Sequence, residues 1–241
     1  MKNKSQSPSA STAKGEYVCV NCQSSASTMH KKYSEGVIRL TECKKCGDVV
    51  DKYIECDTVL VVLDLMLQYI QAYRHLILNV RMEKPERLFL IFWLSHAADG
   101  WMRDRNSNEE AVSEEVSEKE WIFYKCLVRS AVEISSYVFV ILLFAYLKPN
   151  ETKLTRLQII GATLLGYYGN VAVVISFIFH LAHQTSYQFV MRLFLLISHA
   201  QVQLVLFPTI SLSSNFTLVL AGLFFSYLTG FCVTYLFHYY G

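Results

Sequence analysis

The chain has 241 residues, 53% of them hydrophobic and 14% aromatic, with a mean hydropathy of +0.28. That is too apolar for an ordinary soluble domain and points to a membrane protein. The net charge of +2 excludes little by itself, but 18 of the 22 Lys and Arg residues lie at or before Arg129, and no acidic residue follows Glu151. A polar N-terminal part is therefore joined to a membrane-embedded C-terminal part.

Residues 1–16, MKNKSQSPSASTAKGE, are polar and Ser-rich. They lack the apolar core of a signal peptide and read as a disordered tail. Next come Cys19-x2-Cys22 and, 20 residues later, Cys43-x2-Cys46. Each pair forms a tight knuckle that aims two sulfurs at one point. Two knuckles complete a tetrahedral four-cysteine zinc site with Zn–S bonds of about 2.3 Å. Gly47 follows the second knuckle, where a positive φ is often needed. Between the knuckles, 29–33 and 37–41 read as short strands joined by a turn at 34–36. The expectation is a zinc ribbon over 17–58, too small to hold its shape without a metal. Four thiolates leave no open coordination position, so the zinc is structural. Two disulfides are the competing reading and would require a lumenal or extracellular face. Cys56, Cys126 and Cys232 fit no spacing rule and read as small apolar residues.

The run 59–80 is long enough to span a bilayer but contains Asp64, Gln68, Gln71, Arg74 and His75. Asp and Arg each cost about 2.5–3.5 kcal/mol at a membrane centre. Asp64, Gln68, Gln71 and His75 share a helical face. With 88–101, which is short for a span, the run reads as an interfacial or re-entrant helical hairpin over 59–104, rather than a lone spanning helix. Residues 105–125 read as a polar loop, and 126–241 as four transmembrane helices over 126–147, 157–179, 187–207 and 216–237. Pro149 and Pro208 fall between spans. Small residues at Gly222, Ser226 and Gly230, and at Ala162 and Gly166, suit close helix packing. The fold class is thus a small zinc ribbon followed by an all-α multi-pass membrane domain with an interfacial or re-entrant hairpin.

The distribution of Lys and Arg puts the ribbon in the cytosol, and a reducing cytosol agrees with zinc over disulfides. With four spans, the C-terminus is cytosolic too, and the sequons at Asn150 and Asn215 face the lumen close to the membrane, where they go unused.

Three polar constellations stand out. Asp64, Arg74 and His75 are candidates for contact with lipid headgroups or a partner, set against a solvated helix face. Tyr69 joins them through Leu67-x-Tyr69-x4-Arg74, a loose sterol-contact pattern. Arg129 and Glu133 lie four apart and pair as neighbours on one helix. His199, Gln201 and Gln203 read as interhelical hydrogen-bonding groups. Ribbon lysines suit anionic lipid, and a membrane tether argues against nucleic acid as a partner. No nucleophile elbow, phosphate-binding loop or paired-carboxylate site stands out.

The ribbon, then VDKYIECD (50–57), then AYRHLILN (72–79), resembles the Arv homology domain of the Arv lipid-homeostasis family, over residues 17–80. The resemblance implies a multi-pass protein of the endoplasmic reticulum, in some members also the Golgi. It implies a role in sterol transport, in sphingolipid balance and in supplying glycosylphosphatidylinositol-anchor intermediates. The main expectation is a non-enzymatic mediator of sterol transport and lipid homeostasis whose partners are membrane lipids. The alternative is a scaffold that presents anchor intermediates to biosynthetic enzymes of the endoplasmic reticulum.

Overall fold

The structure is a computed structural model, and it describes residues 17–34, 37–80, 85–107, 116–172, 179, 181 and 184–240. The expected tail over 1–16 lies outside the described residues, as do most of the turn at 34–36 and the centre of the polar loop. The chain divides into two compact units, one ending at Val80 and one beginning at Arg81.

In the first unit, β1 (Tyr17–Val18) pairs antiparallel with β2 (Ser25–Ala26), and β3 (His30–Ser34) with β4 (Val37–Leu40). The two knuckles are one turn used twice. The Cys19 N–H donates to Ser24 O at 2.9 Å and the Cys43 N–H to Asp48 O at 2.7 Å. The Gln23 and Gly47 N–H groups return to Cys19 O and Cys43 O, each at 2.9 Å. Both returning residues have positive φ, +60° at Gln23 and +80° at Gly47. Glycine meets that demand freely, whereas a side chain there is strained. Val50 ties the pieces together: its N–H donates to Thr41 O and its carbonyl accepts from the Val20 N–H. A small apolar cluster at the knuckles consists of Cys19, Cys43 and Val50, edged by Cys22, Ala26 and Met29.

A 3-10 turn (Lys52–Ile54), capped by the Asp51 side chain, leads into α1 (Thr58–Met66). The run 59–80 is not one helix. At the end of α1 the Tyr69 N–H donates to Asp64 O and the Gln68 N–H to Leu65 O, with Gln68 at φ +61°. This is a left-handed helix stop with two carbonyls satisfied. The chain restarts as α2 (Ile70–Arg74) and continues as a π-helical turn (His75–Val80). The two arms expected to form one hairpin fall in different units: 59–80 belongs with the ribbon, and 88–101 with the helices.

In the second unit, α3 (Pro85–Ser107) starts with proline at its first position, where no N–H is needed, and runs well past both ends of the expected arm. It packs against α4 (Val116–Leu147), α5 (Arg156–Leu165) and a 3-10 turn (Tyr168–Ala172). Two long helices follow, α6 (Thr185–Leu206) and α7 (Leu212–Tyr240). Among the described residues three helices are long and apolar enough to cross a membrane: Glu120–Leu147, Thr185–Leu206 and Leu212–Tyr239. The expected span over 157–179 is not one continuous helix. A capping box between Thr155 and Gln158 starts α5, which ends at Gly166, and residues 173–178 lie outside the described residues. Gly166 and Gly169 weaken the helix there, and both accept close approach from α6: a Cβ on Gly166 would collide with His199, and one on Gly169 would meet Phe194 at 2.7 Å.

The small-residue stripe on α7 lies against α4. A Cβ on Gly222 would come 2.7 Å from the Tyr137 ring, and one on Gly230 would collide with the Glu133 side chain. Between them the Ser226 hydroxyl donates to Glu133 O at 2.7 Å, and Ser136 meets Thr229 at 2.9 Å. Small side chains let the backbones approach, and the hydroxyls then find partners across the interface.

Candidate metal centre and its fastening network

The four ribbon cysteines are free thiols whose sulfurs all lie within 4.8 Å of one another. Cys19 Sγ is 3.8 Å from Cys46 Sγ, and Cys22 Sγ is 3.6 Å from Cys43 Sγ. A tetrahedral ion with metal–sulfur bonds of about 2.3 Å requires sulfur–sulfur edges of about 3.8 Å. The donor set therefore fits a thiophilic metal ion held by Cys19, Cys22, Cys43 and Cys46. Such an ion would join the two knuckles covalently, which the minimal core cannot do.

The surrounding groups favour thiolates unevenly. Ser24 Oγ lies 3.0 Å from Cys22 Sγ and 3.1 Å from Cys43 Sγ. The Ser24 hydroxyl, with the Cys46 and Lys45 backbone N–H groups, pulls the Cys43 thiol down to about 6. At Cys46 a backbone hydrogen bond at Asp48 favours the thiolate, but desolvation and the facing sulfurs outweigh it and push the thiol up to about 12. Four sulfurs this close ionise together only around a cation.

Beneath the cysteines a polar network fastens the helical segment to the ribbon. Asp51 is fully buried. Its Oδ1 accepts the Tyr53 N–H at 3.0 Å, and its Oδ2 accepts His75 Nδ1 at 2.7 Å and Asn79 Nδ2 at 2.6 Å. Asn79 also pairs with the backbone of β1 as a strand would: its Oδ1 accepts the Val18 N–H and its Nδ2 donates to Val18 O, both at 2.9 Å. Arg74 donates from one nitrogen to Val20 O at 2.8 Å and to Asn21 O at 2.6 Å, the two carbonyls inside the first knuckle. Burial pulls the Arg74 guanidinium below its ordinary value, while the nearby Cys19 and Cys22 sulfurs oppose the shift. The end of α2 and the π-helical turn place Arg74, His75 and Asn79 on the ribbon side of one short segment.

The residues singled out on 59–80 thus have defined places. Arg74 and His75 bond to the ribbon. Asp64 accepts the Tyr53 hydroxyl at 2.7 Å and lies 3.4 Å from Lys52 Nζ. Tyr69 is exposed, next to the exposed apolar residues Val59, Leu60, Val62, Leu63, Met66 and Leu67 of α1 and its end. Asp51 and Asn79 were quoted within the motifs but given no role by sequence reasoning, and Ser24 was missed altogether. Four-residue spacing from His75 to Asn79 was the available signal for a shared partner.

In the second unit Arg129 Nε meets Glu133 Oε1 at 2.8 Å, as the four-residue spacing led one to expect. His199 packs between the Tyr137 and Tyr167 rings at 4.5 and 4.6 Å. Asn215 donates to Phe207 O and Ile210 O, which occupies this sequon's amide with the turn between α6 and α7.

No solved structure matches the chain. Among curated relatives, it is 29% identical to Protein ARV1 of Homo sapiens over 221 residues, 90% of this chain and 81% of that protein. It is 29% identical to Protein ARV1 of Bos taurus over 168 residues, 68% of this chain and 60% of that protein. With Protein ARV1 of Saccharomyces cerevisiae the identity is 42% over 62 residues, 26% of this chain and 19% of that protein. The Arv1-like family model matches residues 18–202, a stretch that contains both the metal knuckles and the fastening network. The chain belongs to the Arv1-like family.

Proposed function

We propose that this protein is a non-enzymatic lipid handler of the endoplasmic reticulum membrane that promotes sterol transport and lipid homeostasis. In this reading the ion is zinc, which suits four thiolates at this spacing. The ribbon faces the cytosol and sets the position of α1. One observation carries the proposal: α1 and its end present Val59, Leu60, Val62, Leu63, Met66, Leu67 and Tyr69 with exposures between 45% and 69%, clustered within eleven consecutive positions. An apolar patch of this kind marks a surface that meets lipid or a partner. The unit ends at Val80, and the membrane helices' own unit starts one residue later. In this reading the patch enters the headgroup boundary of the bilayer, as an interfacial helix does.

Tyr69 is then the direct lipid contact of the four candidate residues. Asp64, Arg74 and His75 act by fixing the angle of the helix. A ribbon that is rigid only when metal-loaded makes a defined perturbation of one leaflet. Sphingolipid balance and anchor-intermediate supply follow as consequences of altered lipid distribution.

The test is lipid movement in proteoliposomes containing only this protein, read with fluorescent sterol and phospholipid reporters. Wild type should exceed empty vesicles. Leu63→Asp and Leu67→Asp, which place charge on exposed positions without disturbing a core, should lose most of that excess. Absence of movement with folded, metal-loaded protein would overturn the proposal. Co-purifying anchor-synthesis enzymes would then favour the scaffold reading.

A further inference from the structure

The helical unit carries a half-open cavity of about 410 Å³ walled by α3, α4, α6, α7 and the 3-10 turn after α5. That is the size of a small-molecule site, about 300–1,000 Å³. Its wall holds four charged residues, Asp99, Arg129, Glu133 and Arg192, and the histidines His96 and His199.

Three of the four charges are partnered. Glu133, near the middle of the apolar stretch Glu120–Leu147, accepts Arg129 Nε at Oε1 and His96 Nε2 at Oε2, both at 2.8 Å. Asn170 Nδ2 lies 3.2 Å from His96 Nδ1. The carboxylate requires a proton on Nε2, so Nδ1 accepts from the amide, and both ring nitrogens are engaged. His96 is thus a fixed strut rather than a free base. Asp99 has a partner of its own.

Arg192 is different. It projects from α6, a helix apolar enough to cross a membrane, and lines the cavity. It makes no hydrogen bond or ion pair, either with Asp99 or with any other described residue. Arg192 is an exposed charge in the first half of a helix whose other residues are uncharged. Such residues face cavities and bind a counter-charge. Arg129 is paired with Glu133, so Arg192 is the arginine of this wall that no described residue pairs, and its planar fork matches phosphate oxygens. Met191, Leu195 and Leu223 on the same wall suit hydrocarbon.

We infer that this cavity binds the phosphate of a lipid headgroup, with Arg192 as its counter-charge and the neighbouring aliphatic wall taking the start of the hydrocarbon. The inference rests on the lipid-handling reading and names a substrate class for it: a phosphate-bearing lipid, distinct from a sterol.

The test uses the full metal-loaded chain in detergent and a fluorescent short-chain phosphatidic acid. Unlabelled dioctanoyl phosphatidic acid should displace the probe, and dioctanoylglycerol, with the same chains and no phosphate, should compete at least about tenfold worse. Arg192→Gln should raise the Kd by about tenfold or more, and Arg192→Lys should recover part of the loss, which a general folding defect would not. Glycerol 3-phosphate competing as well as the lipid would keep the phosphate site but make a soluble ester its ligand. Equal competition by dioctanoylglycerol, or an unchanged affinity in Arg192→Gln, would overturn the inference. Wild-type protein that moves lipid in vesicles without Arg192-dependent phosphate binding would sink this inference alone. Binding without movement would sink the transport reading alone.

Discussion

Asn79 does the work of a backbone strand with a single amide. It holds both polar groups of Val18 and donates to the buried carboxylate of Asp51. Asn79→Ala leaves both part-buried polar groups of Val18 and the fully buried Asp51 carboxylate short of a partner and should cost about 2–4 kcal/mol of first-unit stability. Asn79→Asp keeps the size but sets one carboxylate against Asp51 and another oxygen against Val18 O. It should be the more damaging of the two, although it is the closer isostere. Thermal unfolding of the metal-loaded protein, followed through the ribbon, checks the order; Ala worse than Asp would refute the network as drawn. At this scale the sequence was informative about which residues mattered and less so about why. Arg74 and His75 were legible as polar groups on an apolar run, and polarity on such a run suggests headgroups. Their actual partners, Val20, Asn21 and Asp51, lie 24 to 54 positions away. Local periodicity carries no information about contacts at that separation.

The two knuckles offer a comparison between elements. They share the same hydrogen bonds and the same left-handed residue, but one has Gly47 where the other has Gln23. Nothing lies within 4 Å of a Cβ built on Gly47, so Gly47→Ala isolates the backbone cost and should destabilise the ribbon by about 1 kcal/mol. Gln23→Gly should relieve the matching strain and stabilise it by up to about 1 kcal/mol. Denaturation of the two variants beside wild type decides it: effects of the same sign would mean that the turns are not equivalent. The strands and the knuckle at Gly47 were legible because turn chemistry and cysteine spacing are local. The break at Gln68 and the end of α5 at Gly166 were not. A left-handed glutamine has no sequence signature, and the uncharged run 157–179 has the hydropathy of a span. His199 and Phe194 approach Gly166 and Gly169 where the helix yields, and that contact lies about 30 positions away in the chain.

At the scale of the whole chain, the two units differ in what holds them. The second has an extended apolar interior, including Ile134, Tyr137, Ile141, Val202 and Phe207, and should keep its helices without metal. Among the described residues of the ribbon the buried apolar cluster at the knuckles is Cys19, Cys43 and Val50, two of them metal ligands, with Val20 and Tyr53 buried beside it in sequence. In small metal domains ion binding supplies about 10–16 kcal/mol of folding free energy. Removing the ion should therefore unfold the ribbon and spare the helices of the second unit. The fastening network extends that loss. Once Val18, Val20 and Asn21 leave their places, Arg74 and Asn79 lose their acceptors, and α2 with the π-helical turn has too few residues to stand alone. Amide exchange on chelator-treated protein in detergent should show protection falling through Val80 and persisting from Pro85 onward, with most of the helical circular dichroism retained. Added zinc should restore the lost protection. If exchange increases only up to the end of the second knuckle, α1 and α2 are stable without the ribbon, and the metal cannot be what sets the angle of the apolar face. If α3 and α4 lose protection as well, the chain unfolds as one body and the division at Val80 is not a boundary of stability.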